Sequence, residues 1–420
     1  MKSTKFDNIS VVGLGYIGLP TAAVFAAHGV RVTGVDVNQT TVDTINRGEV
    51  HIVEPDLGGA VSNAVAARRL RATVIPEPAQ AFLIAVPTPF KGHDHEPDLS
   101  YIQSASSMIA PALRPGNLII LESTSPVGAT ERMAAWLAEA RPDLTFPQTH
   151  GEASDIRIAH CPERVLPGKV MQELITNDRI IGGMTPLCSS EAEALYRVFV
   201  KGECLLTDTC TAEMAKLTEN SFRDVNIAFA NELSMICDTK GINVWELIKL
   251  ANHHPRVNIL QPGPGVGGHC IAVDPWFIVN SAPDQARLIR TAREVNDAKP
   301  HWVVEKTTAA LGEFLIENPD KSIGDVTLAC YGLAFKPDID DLRESPALNI
   351  AIQLGTMPFK SVLAVEPNIA ELPKAAAALT LSSLENARNA DIHVLLVDHA
   401  PFKEVSKPNG FVVDSRGIWP

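Results

Sequence analysis

Short aliphatic runs alternate with amphipathic stretches across the first half of the chain. Asn8-Ile9-Ser10-Val11-Val12 reads as a buried strand, a helical pattern fills residues 19–28 until Gly29 stops it, and a second apolar run at 30–35 ends on Asp36. The strand signal returns at 81–86, 117–121 and 157–160. Strands that alternate with helices predict a doubly wound parallel sheet through about residue 205. The period then changes. Residues 211–240 carry one long helical pattern free of Pro and Gly, and helical spacing resumes at 244–250 and from about 283 to 315. A second α/β block opens near Asp325, with strands expected at 326–331, 361–365, 392–397 and 411–413. The expected fold class is α/β: two doubly wound domains joined by a long central helix and helical segment, divided at 1–205, 206–318 and 319–420.

Composition narrows the class. A chain of 420 residues with 45% hydrophobic content is too long for a single core. A formal net charge of −13 argues against nucleic-acid or anionic-membrane partners, so a bound anion needs its own basic cluster. The opening Met-Lys-Ser-Thr-Lys-Phe-Asp lacks an apolar signal region and no run is long enough to span a bilayer, so a cytoplasmic location is expected. Seven cysteines without a CxxC pair fit reduced thiols rather than a disulfide framework or zinc site.

The first apolar run leads into Gly13-Leu14-Gly15-Tyr16-Ile17-Gly18. Strand, glycine turn, helix, strand and then Asp36 is the Rossmann order. Its glycines permit a tight turn and let a pyrophosphate approach the helix N-terminus, while the acid suits a ribose 2′-OH. Asp36 would repel a 2′-phosphate, so NAD is expected over NADP; the bland alternative is a structural βα turn. Thr88 and Thr124 fall at the carboxyl ends of their strands, where ligands of such sheets lie. The second α/β block is Rossmann-like in rhythm but lacks the glycine fingerprint, so a different phosphate ligand is expected there, at Lys336 and Arg343.

The densest glycine and proline stretch, Gln261-Pro262-Gly263-Pro264-Gly265-Val266-Gly267-Gly268-His269-Cys270, cannot continue a helix or a central strand. Glycine lets main-chain N–H groups crowd a ligand, and a cysteine beside such donors can be held as a nucleophilic thiolate. Asp274 has the spacing to reach back if a helical turn begins there. A surface loop with an inert, buried cysteine is the alternative. On the long helix, Lys216, Asn220 and Arg223 share one face, which otherwise reads as a solvated charged face. A metal held by His253, His254, His269 and Cys270 is disfavoured, because adjacent side chains diverge and a zinc spacing is missing.

Taken in order, Gly-Leu-Gly-Tyr-Ile-Gly-Leu-Pro, Val-Pro-Thr-Pro, Ser-Thr-Ser-Pro-Val-Gly, Cys-Pro-Glu-Arg, Glu-Met-Ala-Lys-Leu-Thr-Glu-Asn, Gly-Gly-His-Cys and Gly-Leu-Ala-Phe-Lys resemble the UDP-glucose/GDP-mannose dehydrogenase family over nearly the whole length. The resemblance implies an NAD-dependent, four-electron oxidation of a nucleotide-sugar C6 alcohol to a carboxylate. Cys270 would attack the intermediate aldehyde, and the thioester formed from that adduct would be hydrolysed. Lys216 and Asn220 match the pair that stabilises the developing oxyanion, Asp274 and Thr124 match positions that hold a water or the cysteine, and Glu163 matches a glutamate of thioester hydrolysis. The implied cofactor contacts are Gly13, Gly15, Tyr16, Ile17, Gly18, Asp36, Thr88, Thr124 and Arg343. The implied substrate contacts are Arg164, Val165, Lys216, Asn220, Arg223, His254, Arg256, Gly267 and Lys336, with no metal.

Cys-Pro-Glu-Arg-Val-Leu-Pro-Gly resembles the N-acetylhexosamine branch. It favours UDP-N-acetyl-D-mannosamine, for surface polysaccharide precursors of the enterobacterial common antigen type, over UDP-N-acetylglucosamine or UDP-glucose. Pro167 stands where UDP-glucose enzymes often carry a second glutamate, a departure that bears on the hydrolytic base. A homodimer built on the long helix, with Arg256 reaching the neighbouring subunit's site, is also implied. A nucleotide-sugar sensor without redox chemistry would have no reason to keep Cys270 with Lys216 and Asn220, and a two-electron dehydrogenase would differ in product stoichiometry.

Overall fold

The computed structural model describes residues 6–92, 94–268 and 270–419. The chain forms two compact units, Met1–Glu219 and Asn220–Pro420. The strands of the first unit are β1 (Asn8–Val12), β2 (Arg31–Val35), β3 (Leu70–Thr73), β4 (Ala81–Ile84), the short pair β5 (Phe90–Lys91) and β6 (Glu96–Pro97), β7 (Leu118–Leu121), β8 (Arg157–His160), β9 (Arg179–Gly183) and β10 (Cys204–Asp208). Apart from β5 and β6 they form one sheet in the order β10-β9-β8-β7-β4-β1-β2-β3. The pleat sends successive side chains to opposite faces. Ile9, Val11 and Leu83 join Leu19 and Phe25 in one core, while Val12, Phe82 and Ile84 join Ile102 and Met133 in the other. Burial on both faces explains why these strands read as continuous apolar runs.

The sheet departs from the expected parallel order at its end. β9 pairs antiparallel with β8 and β10 lies parallel to β9, so these two run against the other six. The link between β8 and β9 contains only the seven-residue helix Val170–Thr176. The chain reverses direction across this link. Ala159 pairs with Gly183 and His160 with Gly182. Continuing that register for three residues sets Glu163 across from Arg179.

A 32-residue helix, Thr209–Lys240, begins in the first unit and ends in the second. The second unit continues with helices Val244–Ala251, Asp274–Ser281 and Arg287–Glu317. Then come β11 (Thr327–Tyr331), β12 (Ser361–Val365), β13 (Thr380–Leu381), β14 (Ile392–Leu395) and β15 (Phe411–Asp414). They form a parallel sheet in the order β13-β12-β11-β14-β15. Leu328 and Cys330 face a core with Ile350 and Leu354, and Ala329 and Tyr331 face another with Phe402 and Trp419. The α/β class with two Rossmann-like sheets and long central helices is therefore present.

Candidate active site

In the first unit the chain leaves β1 through Gly13, whose φ of +90° only glycine adopts readily. A Cβ at Gly13 would lie 2.5 Å from the Ala85 carbonyl oxygen, and one at Gly18 only 1.8 Å from the Gly13 oxygen. Gly15 differs: it is exposed, and nothing lies within 4 Å of its would-be Cβ, so a ligand can approach its backbone. The helix Gly18–Ala27 has no side-chain cap and no acid in its first turn, which leaves its positive end to an anion. Tyr16 and Ile17 flank that end. Asp36 follows β2 and is half-buried; it accepts from the Leu14 amide at 3.0 Å and the Asn38 amide at 2.9 Å. Two amide bonds fix the carboxylate and leave lone pairs for a ribose hydroxyl. Thr88 and Thr124 follow the neighbouring strands β4 and β7, and the Thr88 hydroxyl donates to the Thr124 carbonyl. This open turn, free helix end and anchored acid fit a dinucleotide.

Past β8 the chain enters Cys161-Pro162-Glu163-Arg164. Glu163 is buried; its carboxylate accepts from the Arg164 amide at 2.7 Å and from Arg179 Nη2 at 2.7 Å. The Arg179 guanidinium also lies 4.5 Å from the Tyr196 ring centroid, and the Tyr196 hydroxyl donates to Glu122 at 2.6 Å. Burial pushes Glu122 up to about 7 and the Cys161 thiol up to about 12, so Cys161 stays a thiol. Burial also drives His160 down to about 3, in keeping with two buried ring nitrogens that have no partner among the described residues. Arg164 pairs with Glu219 at 2.6 Å, and Val165 beside it is half-buried. Lys216 is half-buried on the long helix. One turn earlier, buried Glu213 accepts from the Gly128 and Thr130 amides and the Thr130 hydroxyl. It thereby caps helix Ala129–Ala140, whose N-cap residue Gly128 has no side chain of its own.

In the second unit a helix does begin at Asp274, with Pro275 at its first turn. The Asp274 amide donates to the Cys270 carbonyl at 2.8 Å, and its buried carboxylate accepts from the Asn220 side-chain amide. The acid thus meets the cysteine through backbone and directs its carboxylate at Asn220. Cys270 itself is exposed. His269 lies outside the described residues. Arg223 and Arg256 line one cavity of about 390 Å³ with Phe222, Asn226, Asn258 and Leu260. The Arg256 amide donates to His254 Nδ1 at 3.3 Å. A Cβ at Gly267 would lie 2.4 Å from the Glu344 carbonyl oxygen and 2.9 Å from Phe335 Cβ. Only glycine lets the cysteine loop lie this close to the segment that carries Lys336 and Arg343. Arg343 itself is turned onto Asp341, bonded at 2.9 and 2.6 Å.

Arg416 lies outside every motif of the sequence. It is held by Asp398 at 2.6 Å and lines a crevice of about 30 Å³ with Pro264, Gly265, Phe335 and Pro346. It sits two residues past β15, at the carboxyl edge where such sheets hold ligands, and that placement was the available signal.

Residues 7–200 match the NAD binding domain of the UDP-glucose/GDP-mannose dehydrogenase family, 210–298 its central domain and 329–420 its UDP binding domain. The UDP-N-acetyl-D-mannosamine dehydrogenase of Salmonella typhi is 64% identical over 420 residues, spanning 99% of this chain and 100% of that protein. The NDP-N-acetyl-D-galactosaminuronic acid dehydrogenase of Ralstonia nicotianae is 61% identical, spanning 99% of this chain and 96% of that one. Among solved structures, UDP-D-ManNAc dehydrogenase from Pyrococcus horikoshii aligns with a TM-score of 0.87 at 39% identity, covering 98% of this chain and 96% of that one. Among the described residues, no helix is long and apolar enough to cross a membrane.

Proposed function

The chain belongs to the UDP-glucose/GDP-mannose dehydrogenase family and is an NAD-dependent oxidoreductase, and we propose that it oxidises UDP-N-acetyl-D-mannosamine at C6 to the uronate. Identity of 64% to an enzyme named for that sugar supports the choice. A second reading, a galactosamine-derived nucleotide sugar, draws on 61% identity to the Ralstonia protein. We assign the cofactor to residues 1–205, the nucleophile loop and dimer contacts to 206–318 and the UDP moiety to 319–420, in the cytoplasm and toward surface polysaccharide of the enterobacterial common antigen type.

The observation that carries the chemistry is the buried Asn220–Asp274 pair beneath a glycine loop that ends on exposed Cys270. Bound NAD supplies the hydride acceptor. When the C6 aldehyde forms, the Cys270 thiolate bonds to its carbon, and Lys216 and Asn220 donate to the oxygen that takes the charge. Loss of hydride from this adduct leaves a thioester. Glu163 then removes a proton from the attacking water, the C–S bond breaks, and Cys270 leaves as thiolate. Thr124 holds that water or the cysteine. Arg164, Arg223, His254 and Lys336 supply the cationic and hydrogen-bonding contacts that an acidic chain needs for a diphosphate.

We also assign a homodimer. Phe222, Phe229 and Ile236 are 68%, 53% and 49% exposed at seven-residue spacing on the long helix, an apolar stripe that a second copy would cover. Phe222 also lines the Arg256 cavity, so a partner seated on the stripe would receive that arginine. The deciding experiment supplies limiting UDP-N-acetyl-D-mannosamine and counts NADH. Two NADH per uronate are expected; one NADH with accumulating aldehyde would sink the four-electron reading, and no turnover except with a galactosamine nucleotide would favour the second sugar.

A further inference from the structure

Two long helices of the second unit meet through polar rather than apolar side chains. Asp224, Asn231 and Ser234 of Thr209–Lys240 are buried against Arg293, Asn296 and Lys299 of Arg287–Glu317. Arg293 Nη1 donates to Asp224 at 2.6 Å, and Asn296 Nδ2 donates to the same carboxylate oxygen at 2.8 Å. Asn231 Nδ2 donates to Asn296 Oδ1 at 2.8 Å, and Lys299 Nζ donates to Ser234 at 2.6 Å. These bonds make a three-rung ladder in an interface that aliphatic residues fill in most helix pairs.

Stability alone does not account for it. Replacing a buried ion pair and its partners by apolar residues of similar size is often neutral or stabilising. Here Asp224 Oδ2 and Arg293 Nε lack partners among the described residues, which adds desolvation cost. An apolar interface would hold two helices at least as well. It could not hold a loop.

The ladder does. Asn231 Oδ1 accepts from the Gly263 amide at 2.9 Å, and Arg293 Nη1 reaches the Ile271 carbonyl at 3.5 Å. Gly263 opens the glycine loop, and Ile271 directly follows Cys270. Between them a Cβ at Gly265 would lie 3.1 Å from Pro300 Cγ, so the same helix touches the middle of the loop. We propose that Asn231, Asn296 and Arg293 are positioning residues, a buried polar template that fixes both ends of the glycine loop and so sets where the Cys270 sulfur sits. The inference rests on the reading of Cys270 as nucleophile. Asn296 acts through its neighbours: it fixes the Asn231 amide so that its oxygen faces Gly263, and it shares the Asp224 oxygen that orients Arg293.

The test uses the full-length protein carrying Asn231→Leu and Asn296→Leu together. Acid formation should fall about tenfold to a hundredfold in kcat, as a displacement near 1 Å at the reacting atom would cause, with NAD affinity and thermal midpoint little changed. The rate of Cys270 alkylation by iodoacetamide, read by mass spectrometry, should shift at least about threefold, a change that a purely structural role would not produce. A folded double variant with wild-type kcat and alkylation rate overturns the proposal. Should the double variant not fold, Asn231→Ala carries the test. It removes both the acceptor of the Gly263 amide and the donor to Asn296, and should lose about tenfold in kcat with a shifted alkylation rate; a folded alanine variant with wild-type kcat and alkylation rate overturns the proposal. Cys270→Ala separates the two claims. If it still forms acid, the nucleophile reading falls and the template with it; if it is inactive while the ladder variants are not, the template alone fails.

Discussion

Arg179→Met tests the antiparallel end of the first sheet and the acid it supports. In the folded protein Arg179 Nη2 and Glu163 are 2.7 Å apart, with side-chain exposures of 4% and 7%. The guanidinium also rests 4.5 Å from the Tyr196 ring centroid and 5.5 Å from that of Phe199. Methionine preserves most of the packing volume and removes the charge. Glu163 is then buried with a single amide donor, from Arg164. Breaking one partner of a buried ion pair costs about 3–5 kcal/mol, and the lost ring contacts add about 1 kcal/mol. Removing the second charge should recover much of this, so Arg179→Met/Glu163→Gln is expected to be about 2–3 kcal/mol more stable than Arg179→Met alone. Equilibrium urea unfolding followed by circular dichroism measures all four members of the cycle. The catalytic consequence is separate: with Glu163 unsupported, the thioester should outlive its formation, seen as a burst of NADH before a slow steady state. A single variant as stable as wild type, or a double variant no better than the single, would show that the register pairing carries no energy and refute the reasoning.

Asp36→Ala should narrow the preference for NAD over NADP at least about tenfold, since the carboxylate that repels a 2′-phosphate is gone; equal use of both cofactors by the wild type counts against its role. Glu122 holds a proton in the folded state up to about pH 7 and in the unfolded chain only up to about 4.5, so folding takes up a proton between those values. Its contribution is therefore full below the unfolded pKa and is lost as pH rises through about 7, a change on the order of 3 kcal/mol that Glu122→Gln should abolish. Parallel stability curves for the two proteins from pH 5 to 8 would contradict this. Mixing inactive Arg256→Ala and Cys270→Ala protomers should restore NADH formation, because some mixed dimers contain one site with both residues intact; no recovery despite demonstrated subunit exchange would remove Arg256 from the partner's site.

Much of the fold was legible because it rests on local periodicity. Apolar runs buried on both faces marked the strands, and a pattern free of Pro and Gly marked Thr209–Lys240. Strand direction was not legible, because it is set by pairing between segments distant in sequence, and the Val170–Thr176 helix looks like any other helix in sequence. With that reversal went the Glu163–Arg179 pair, 16 residues apart and joined only by register. The polar ladder was hidden for a related reason. Asn231 and Asn296 are 65 residues apart and look like ordinary surface positions until two helices bury them together. Cys270 and Asp274 were visible because both lie within one loop and the turn that follows.

The second α/β block shows where a missing motif misleads and where it informs. Its turn repeats the first: Gly332 has a φ of +85° against +90° at Gly13, and the amides of Gly13 and Gly332 each donate at 2.8 Å to the last residue of the neighbouring strand, Val35 and Val365. A Cβ at Gly332 would lie 2.4 Å from Val397, so this glycine is as obligatory as Gly13. An acid follows the second strand in both, Asp36 in one and Glu366 in the other. What differs is what the acid has left to give. Asp36 is half-buried with two amide donors, whereas Glu366 is 4% exposed and accepts from the Leu333, Ala334 and Asn368 amides, the Asn368 side chain and His399. Its lone pairs are spent inside the fold, so it cannot take a ribose hydroxyl. The chain beyond diverges as well. Where Gly18 starts a helix five residues after Gly13, Pro337 follows Gly332, and the next helix waits until Pro346. Without that helix end the turn offers no aligned amides for a pyrophosphate, and Arg416 is the cation that lines the crevice beside it. The absent glycines were thus a true signal about the ligand and a poor one about the fold.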